Sequence, residues 1–497
     1  MNKKTLIFLG TACLIALLFP LYASANSEPV AYLPLEDTYV VEQLEMTRGV
    51  ISQGRLPNQA GANGIQGAPW TLYDNGTLEV GGGFIHVSAN ISPWNQYSDT
   101  ITQVVFTDSI TAGTSLRSLF RHFRYVTTIE GLELFDTSDV TTMAYMFLNN
   151  HLLEYANVSN WDTSNVTQMQ SMFARAHQLI TLDVSNWDTS QVTNMHNLFF
   201  NAYAINNLDV SNWDTGNVTT MHNTFRGTNS LTRLYTLGWD TANVINMSYM
   251  FLSAHSLEYV NVSNWDTSHV TEMQSMFART HSLTNLDVSN WDTSQVTNMH
   301  NMFFNAHSLI SLDASNWDTR NVASMYNMFR GANSLTTLNV SGWDTRNVAR
   351  MMHMFLNATS LNTLTLGENF VFIDNTSLPR IRETDEFTGF WQNVGDGVAM
   401  NPRGRYLLTS AELQERYEGA TMADTFVWQP TNPEVCEFNH WDPYSFFNQG
   451  ELVIHNGRIY RARVTFQGFG DLNWAPGIAH SLWWQEVDII LPDLCFI

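Results

Sequence analysis

Eight tryptophans (Trp161, Trp187, Trp213, Trp239, Trp265, Trp291, Trp317 and Trp343) are each followed by Asp-Thr, and each lies 26 residues after the last. Phe135-Asp136-Thr137 continues the series one step upstream. A fixed period of this size signals a stack of like supersecondary units rather than an ordinary enzyme fold. It organises about half of the 497-residue chain.

One unit shows the physics. In Leu283 to Leu309, Leu286 and Val288 alternate with Asp287 and Ser289, the period of a half-buried strand. Thr293-Ser294 supplies N-cap hydroxyls. Val296, Met299, Met302, Phe303 and Ala306 then fall on one apolar face of a short helix. A strand and a helix this short cannot close a core alone. Each unit must bury its apolar face against its neighbours, which predicts an α/β solenoid with strands about 4.8 Å apart. A second period is superposed: the stretch from Leu153 recurs nearly unchanged from Leu257, four units on, as a block duplication would leave it.

Leu283-x-x-Leu286-x-Val288 resembles the leucine-rich repeat, and the string LDVSNWDTSxVTxMxxMF resembles the BspA-like variety found in bacterial surface proteins. The match covers roughly residues 116–368. One departure is plain. Trp291 stands where the leucine-rich consensus has an Asn that bonds the turn backbone, leaving Asn290 and Asp292 as candidates for that task. The resemblance implies a partner-binding strand face, here the polar column Asp183, Ser185, Asp209, Ser211, Asp287, Ser289, Asp313 and Ser315. Plain solubility is the competing account of the same residues.

Residues 1–25 read as a secretory signal. Lys3-Lys4 precedes an apolar run, and Ala23-Ser24-Ala25 fits a cleavage site. Cys13 lacks the upstream Leu of a lipid-attachment signal, because Gly10 stands there. No other stretch approaches the length of a membrane span, and no sorting motif follows at Phe496-Ile497. The expected location is therefore extracellular, with no membrane insertion and association with a cell surface through glycan. Lys3 and Lys4 are the only lysines, so their removal takes the net charge from −23 to −25. Such an acidic chain is not expected to bind nucleic acid or anionic wall polymers. It also lacks the amine for a Lys–Asn cross-link. Cys436 and Cys495 are the remaining cysteines, an even pair expected to be bridged in a secreted chain. Closing that loop would contribute roughly 4 kcal/mol in the chain-entropy model.

Residues 431–497 break the period. Trp441, Phe447, Gly450, Val453, His455-Asn456-Gly457, Tyr460 and Ala462, followed by Trp474-Ala475-Pro476 and Leu482-Trp483, resemble the small carbohydrate-binding modules of families 5 and 12, the type-3 chitin-binding domain. The resemblance implies a small all-β module with Trp441, Tyr460 and Trp483 in its core. Trp474, Pro476, His480 and Trp484 are the candidate glycan contacts, with Trp474 as the exposed stacking ring. Asn456-Gly457 between β-rich runs is independently a hairpin signal. Arg463-Val464 in place of an aromatic pair, His455 for a Tyr and His480 for a Pro depart from the family pattern.

Residues 26–115 and 369–430 read as β-rich terminal caps, the second with a short helix from Ser410 to Tyr417. Asp183, Asp209, Asp287 and Asp313 recur with the period, so they do not form the unique carboxylate pair a glycosidase needs. No catalytic residue, metal or cofactor is expected. His255, His281 and His307 are in register, as are His196 and His222, and are read as turn histidines that acid would charge. The sequence thus points to a secreted, non-enzymatic surface or adhesion protein. Its expected partners are a GlcNAc-type polysaccharide, chitin or cell-wall glycan, and a protein of a host or neighbouring cell. The alternative is an accessory subunit for polysaccharide degradation by another chain, with the solenoid as spacer.

Overall fold

The computed structural model describes residues 48–57, 64–432 and six short strands between 439 and 486. A β-solenoid occupies most of it. At its start Val50–Arg55, Pro69–Tyr73 and Thr77–Val80 pair antiparallel. Thr77–Val80 then pairs in parallel with Gln103–Phe106, and that strand with Thr128–Glu130. From there the ladder continues as bridges, Thr128 to Tyr155 to Thr181 to Asn207. A second parallel ladder climbs another face, from Ser115 through Thr142, Gln168 and Asn194 to Arg350. Ser311–Asp313, Thr337–Val340 and Thr363–Leu366 complete the first ladder in strict register. Asp424–Pro430 closes the stack by pairing antiparallel with Thr363–Leu366.

Leu286, Val288, Trp291, Val296, Met299, Met302, Phe303, Ala306 and Leu309 all point into the stack and are buried. Equivalent rings lie on one another. Trp291 and Trp317 are 6.0 Å apart with planes 6° from parallel, and Phe303 and Phe329 are 5.5 Å apart and parallel.

The expected helix in each unit is absent. Among the described residues the helical segments are two short 3-10 turns and two short α-helices, and no α-helix lies in a repeat. Ser410–Arg416 is the predicted cap helix, with a capping box between Thr409 and Glu412. In the repeats a run of overlapping turns replaces the helix. Met302, Phe304 and Ala306 donate their N–H to the carbonyls three residues back. The alternate donors, Met299, Asn301, Phe303 and Asn305, reach instead to Ser324, Tyr326, Met328 and Arg330 of the next coil, at 2.7–3.0 Å. A helix would have spent every donor within its own coil. Turns keep the same apolar residues inward and free half the donors to bind the stack.

This alternation needs left-handed residues. Asn301 and Asn305 have φ of 56° and 54°, and the equivalent positions hold Asn197, Asn201, Asn327 and Asn357, among others. Asn tolerates this region better than most side chains. Gly331 (φ 73°) takes the same role one coil above Asn305, and a Cβ there would collide with Asn305 Oδ1.

Gly331→Ala should therefore destabilise by at least about 1–2 kcal/mol. Asn305→Gly should change stability by less than about 1 kcal/mol. Denaturant midpoints of the two variants check this, and equal shifts would refute the left-handed requirement.

Candidate binding faces

The Trp-Asp-Thr motif is structural, and each of its residues has a separate task. Trp291 Nε1 donates to Val262 O of the previous coil at 3.0 Å. Thr293 Oγ1 donates to Asp318 O of the next coil at 2.9 Å. Asp292 Oδ1 accepts from Ser294 N within its own turn at 2.9 Å. Asn290 Nδ2 reaches Ser263 O at 3.3 Å. Asn290 and Asp292 thus both serve the turn, and the Trp bonds backbone as well. Thr293-Ser294 caps no helix.

The proposed polar face exists as a column. Asp183, Asp209, Asp287 and Asp313 are exposed, and each accepts from the backbone N–H of Ser185, Ser211, Ser289 or Ser315 at 3.0–3.2 Å. The hydroxyls of Ser185, Ser211 and Ser289 donate to the same oxygens at 2.7 Å. The Ser211 hydroxyl, and then its backbone N–H, hold the Asp209 carboxyl below the ordinary carboxylate value. A general acid needs the opposite shift.

One coil interrupts this column. LTRLYTLGWDT, from Leu231, puts Tyr235 where the coils on either side carry Asp209 and Asn261, and Leu237 where they carry Ser211 and Ser263. These side chains are 53% and 61% exposed. Tyr259 of the next coil is 40% exposed, its ring 5.7 Å from that of Tyr235. Beside them lies a groove of about 750 Å³ lined by Arg233, Glu258, Tyr259, Asn261, Asp287 and Asp313. The same coil departs inside, where Thr236 replaces the usual Val and its hydroxyl donates to Asn261 O. Trp265 Nε1, which its register would aim at Thr236 O, has no hydrogen-bond partner among the described residues. Tyr235 and Leu237 keep the strand's alternation, so periodicity alone does not single them out. The signal that would have found them is the disagreement of this one unit. A larger groove, about 1280 Å³, lies at the closing cap between Asn357, Arg380, Glu383, Gln414 and Trp428.

Of the other candidates, Trp441, Trp474, Pro476, His480, Trp483, Cys436 and Cys495 lie outside the described residues, as do the signal segment 1–25 and Cys13. Tyr460 and Trp484 lie in the strands Arg458–Ala462 and Trp484–Glu486, which pair antiparallel with Ala462 opposite Trp484. Leu452–His455 pairs antiparallel with Arg458–Ala462 across Asn456-Gly457, with His455 opposite Arg458. Among the described residues no helix is long and apolar enough to cross a membrane.

The in-register histidines stack. His255 and His281 lie 4.5 Å apart, as do His281 and His307, with planes within 5°. His196 and His222 stack at 4.8 Å. Burial, then Arg279, pushes His255 below its ordinary 6.5. Burial, then His255, His307 and Arg279, does the same to His281. In the window below 6.5 the unfolded chain therefore binds more protons than the folded one. Stability is full above that window and falls as pH drops through it. Between about pH 7.5 and pH 5 the melting temperature of a His255→Gln, His281→Gln, His307→Gln variant should fall less than that of the wild type. Identical falls would remove the ladder as a source of acid sensitivity.

No curated protein matches the chain. Among solved structures it is similar to a leucine-rich repeat protein from Eubacterium ventriosum, at 12% identity over 62% of this chain and 95% of that one, with a TM-score of 0.28. It is also similar to a leucine-rich cell surface protein from Faecalibacterium prausnitzii, at 14% identity over 62% and 93%, with a TM-score of 0.22. A leucine-rich repeat protein from Bacteroides ovatus matches at 12% identity over 59% and 80%, with a TM-score of 0.28. A family profile matches residues 114–236, 204–309, 235–336 and 283–372, which together span the solenoid coils and just over half the sequence. On that match the chain belongs to the family described as "Mycoplasma protein of unknown function, DUF285".

Proposed function

We propose that this is a secreted, non-enzymatic surface protein whose solenoid holds a protein partner on its strand face. Its C-terminal segment would hold a GlcNAc-type polysaccharide such as chitin or a cell-wall glycan. The carrying observation is the coil from Leu231. It exposes Tyr235 where the coils on either side carry Asp209 and Asn261, and Leu237 where they carry Ser211 and Ser263, and among the described residues Trp265 Nε1 has no hydrogen-bond partner. A repeat that departs from its own consensus at a cost in hydrogen bonding is a place where binding has outweighed stability. Tyr and Arg are among the side chains that most often anchor protein interfaces; Tyr259 and Arg233 line the groove, and the Tyr235 ring packs against Tyr259. The recurring Asp residues support a non-enzymatic reading, because each serves its own turn. The glycan reading rests on the resemblance of residues 431–497 to small chitin-binding modules.

Two experiments on the full secreted chain separate these readings. The first measures binding to immobilised fibronectin, fibrinogen, laminin and collagen by surface plasmon resonance. Tyr235→Asp with Leu237→Ser, which installs the preceding coil's residues Asp209 and Ser211, should weaken binding about tenfold or more and raise stability slightly. Binding equal to wild type on every surface would dismiss the strand-face site. The second is a pull-down on insoluble chitin, cellulose and purified cell wall. Trp474→Ala should abolish retention, and a variant retained as well as wild type would dismiss the glycan reading.

A further inference from the structure

The net charge of −23 conceals a separation. Each coil carries an eleven-residue stretch from its turn run to the next strand: 143–153, 169–179, 195–205, 221–231, 247–257, 273–283, 299–309, 325–335 and 351–361. None of the nine contains an Asp or Glu. Together they hold Arg175, Arg226, Arg279 and Arg330 and nine of the fifteen histidines. Because the coils stack in register, these stretches form one edge of the solenoid, while the acids occupy the strand and Trp-Asp-Thr sides.

On that edge the arginines are ordered. Arg175 and Arg226 lie on either side of the Phe200 ring, at 5.7 and 5.3 Å. Arg279 and Arg330 flank Phe304 in the same way, at 5.8 and 5.7 Å. Arg226 also faces Tyr249 at 5.8 Å. No carboxylate lies within ion-pair distance of these four among the described residues. Aromatic faces hold the guanidinium groups in place without neutralising them. The arginines occur on every second coil, so they repeat about every 10 Å along the stack at two strand spacings.

We propose that this edge binds an acidic linear polysaccharide carrying one anionic group on every second sugar. An extended sugar chain advances by close to one strand spacing per residue, so its anions would meet successive guanidinium forks. A nucleic-acid strand places a phosphate about every 3.4 Å, roughly three times too densely for this array. The histidines then make the surface acid-responsive. Their charged neighbours are of like sign: Arg279 beside His255 and His281, Arg175 beside His151 and His177, and Arg226 beside His222. The acid that bears on this set is Glu272, near His300. The four fixed positive charges are thus joined by further ones as imidazoles such as those of His151, His177, His222, His255 and His281 protonate.

The test uses the full secreted chain and sodium hyaluronate, a polymer with one carboxylate per disaccharide, with calorimetry at low salt. Binding should be about tenfold tighter or more at about pH 5.5 than at about pH 7.5, and absent for neutral dextran. Arg175→Asn, Arg279→Asn, Arg226→Leu and Arg330→Leu together install residues that other coils already carry at those positions, Asn201, Asn305, Leu252 and Leu356. The fold is thereby preserved, and hyaluronate binding should fall at least about tenfold. Leu252→Arg, which adds a guanidinium on an intervening coil, should tighten it. Trp474→Ala should leave it unchanged, which separates this edge from the C-terminal segment. The proposal is overturned if wild type fails to bind at the lower pH, or if the quadruple variant binds as wild type does. It is also overturned if Trp474→Ala loses the binding, or if single-stranded DNA or phosphatidylserine vesicles bind more tightly than hyaluronate.

Discussion

Everything in this solenoid depends on backbone hydrogen bonds that run from one coil to the next. Phe277 N to Met302 O and Phe303 N to Met328 O are the same bond one coil apart, both at 2.9 Å. Such bonds form only if each coil places its donors at the same angle and height as the last, so the length of the coil is fixed. The 26-residue period is the sequence record of that constraint. It also explains the ring stacks: once the backbones are in register, Trp above Trp and Phe above Phe follow, with near-parallel planes.

The Trp-Asp-Thr motif sits where this constraint is hardest to meet, at a corner where the strand ends and regular pairing stops. Side-chain donors there add bonds between coils. The indole of Trp291 and the hydroxyl of Thr293 supply two, one toward each neighbouring coil, and Asn321 Nδ2 supplies another to Ser294 O at 2.7 Å. Net stabilisation per bond is modest, about 1 kcal/mol, but the corner recurs in every coil. This is why a block of four units recurs from Leu257 without disturbing the stack. Each unit carries both halves of every bond across its boundary.

Much of this was legible in the sequence. The period, the inward residues from Leu286 to Leu309, the in-register histidines and the cap helix at Ser410 follow from spacing and residue type alone. The helix in each unit did not, and the reason is physical. Val296, Met299, Met302, Phe303 and Ala306 fit a helical face, but consecutive turns bury the same set. The discriminating residues were the outward ones, Asn301 and Asn305, whose tolerance of positive φ marks a turn run. Helical periodicity reports only which side faces inward, whereas the hydrogen-bond economy of a stack decides how the chain gets there. For the binding faces, Asp183 and its equivalents are exposed, and their bonds to Ser185 and its equivalents show local duty. Tyr235 and Leu237, which break the column, were visible as letters but not as exposed surface.

In a repeat protein, agreement with the consensus carries architecture, and departure from it carries information about use. The coil from Leu231 departs in both directions at once. It places Tyr235 and Leu237 in solvent and Thr236 in the core, and above it the Trp265 indole, unlike that of Trp291, has no hydrogen-bond partner among the described residues. A neutral drift would more readily alter the exposed positions, which cost little, than the buried one, where a hydroxyl must find a partner. The coincidence of inner and outer change in one unit is therefore better explained by selection for the surface it presents. The acid-free edge argues in the same way from a different side. Nine stretches without a carboxylate, in a chain with twice as many acids as bases, keep the Arg175–Phe200–Arg226 column unneutralised. With no carboxylate at ion-pair distance among the described residues, the arrangement is most simply understood as poised for an anionic partner.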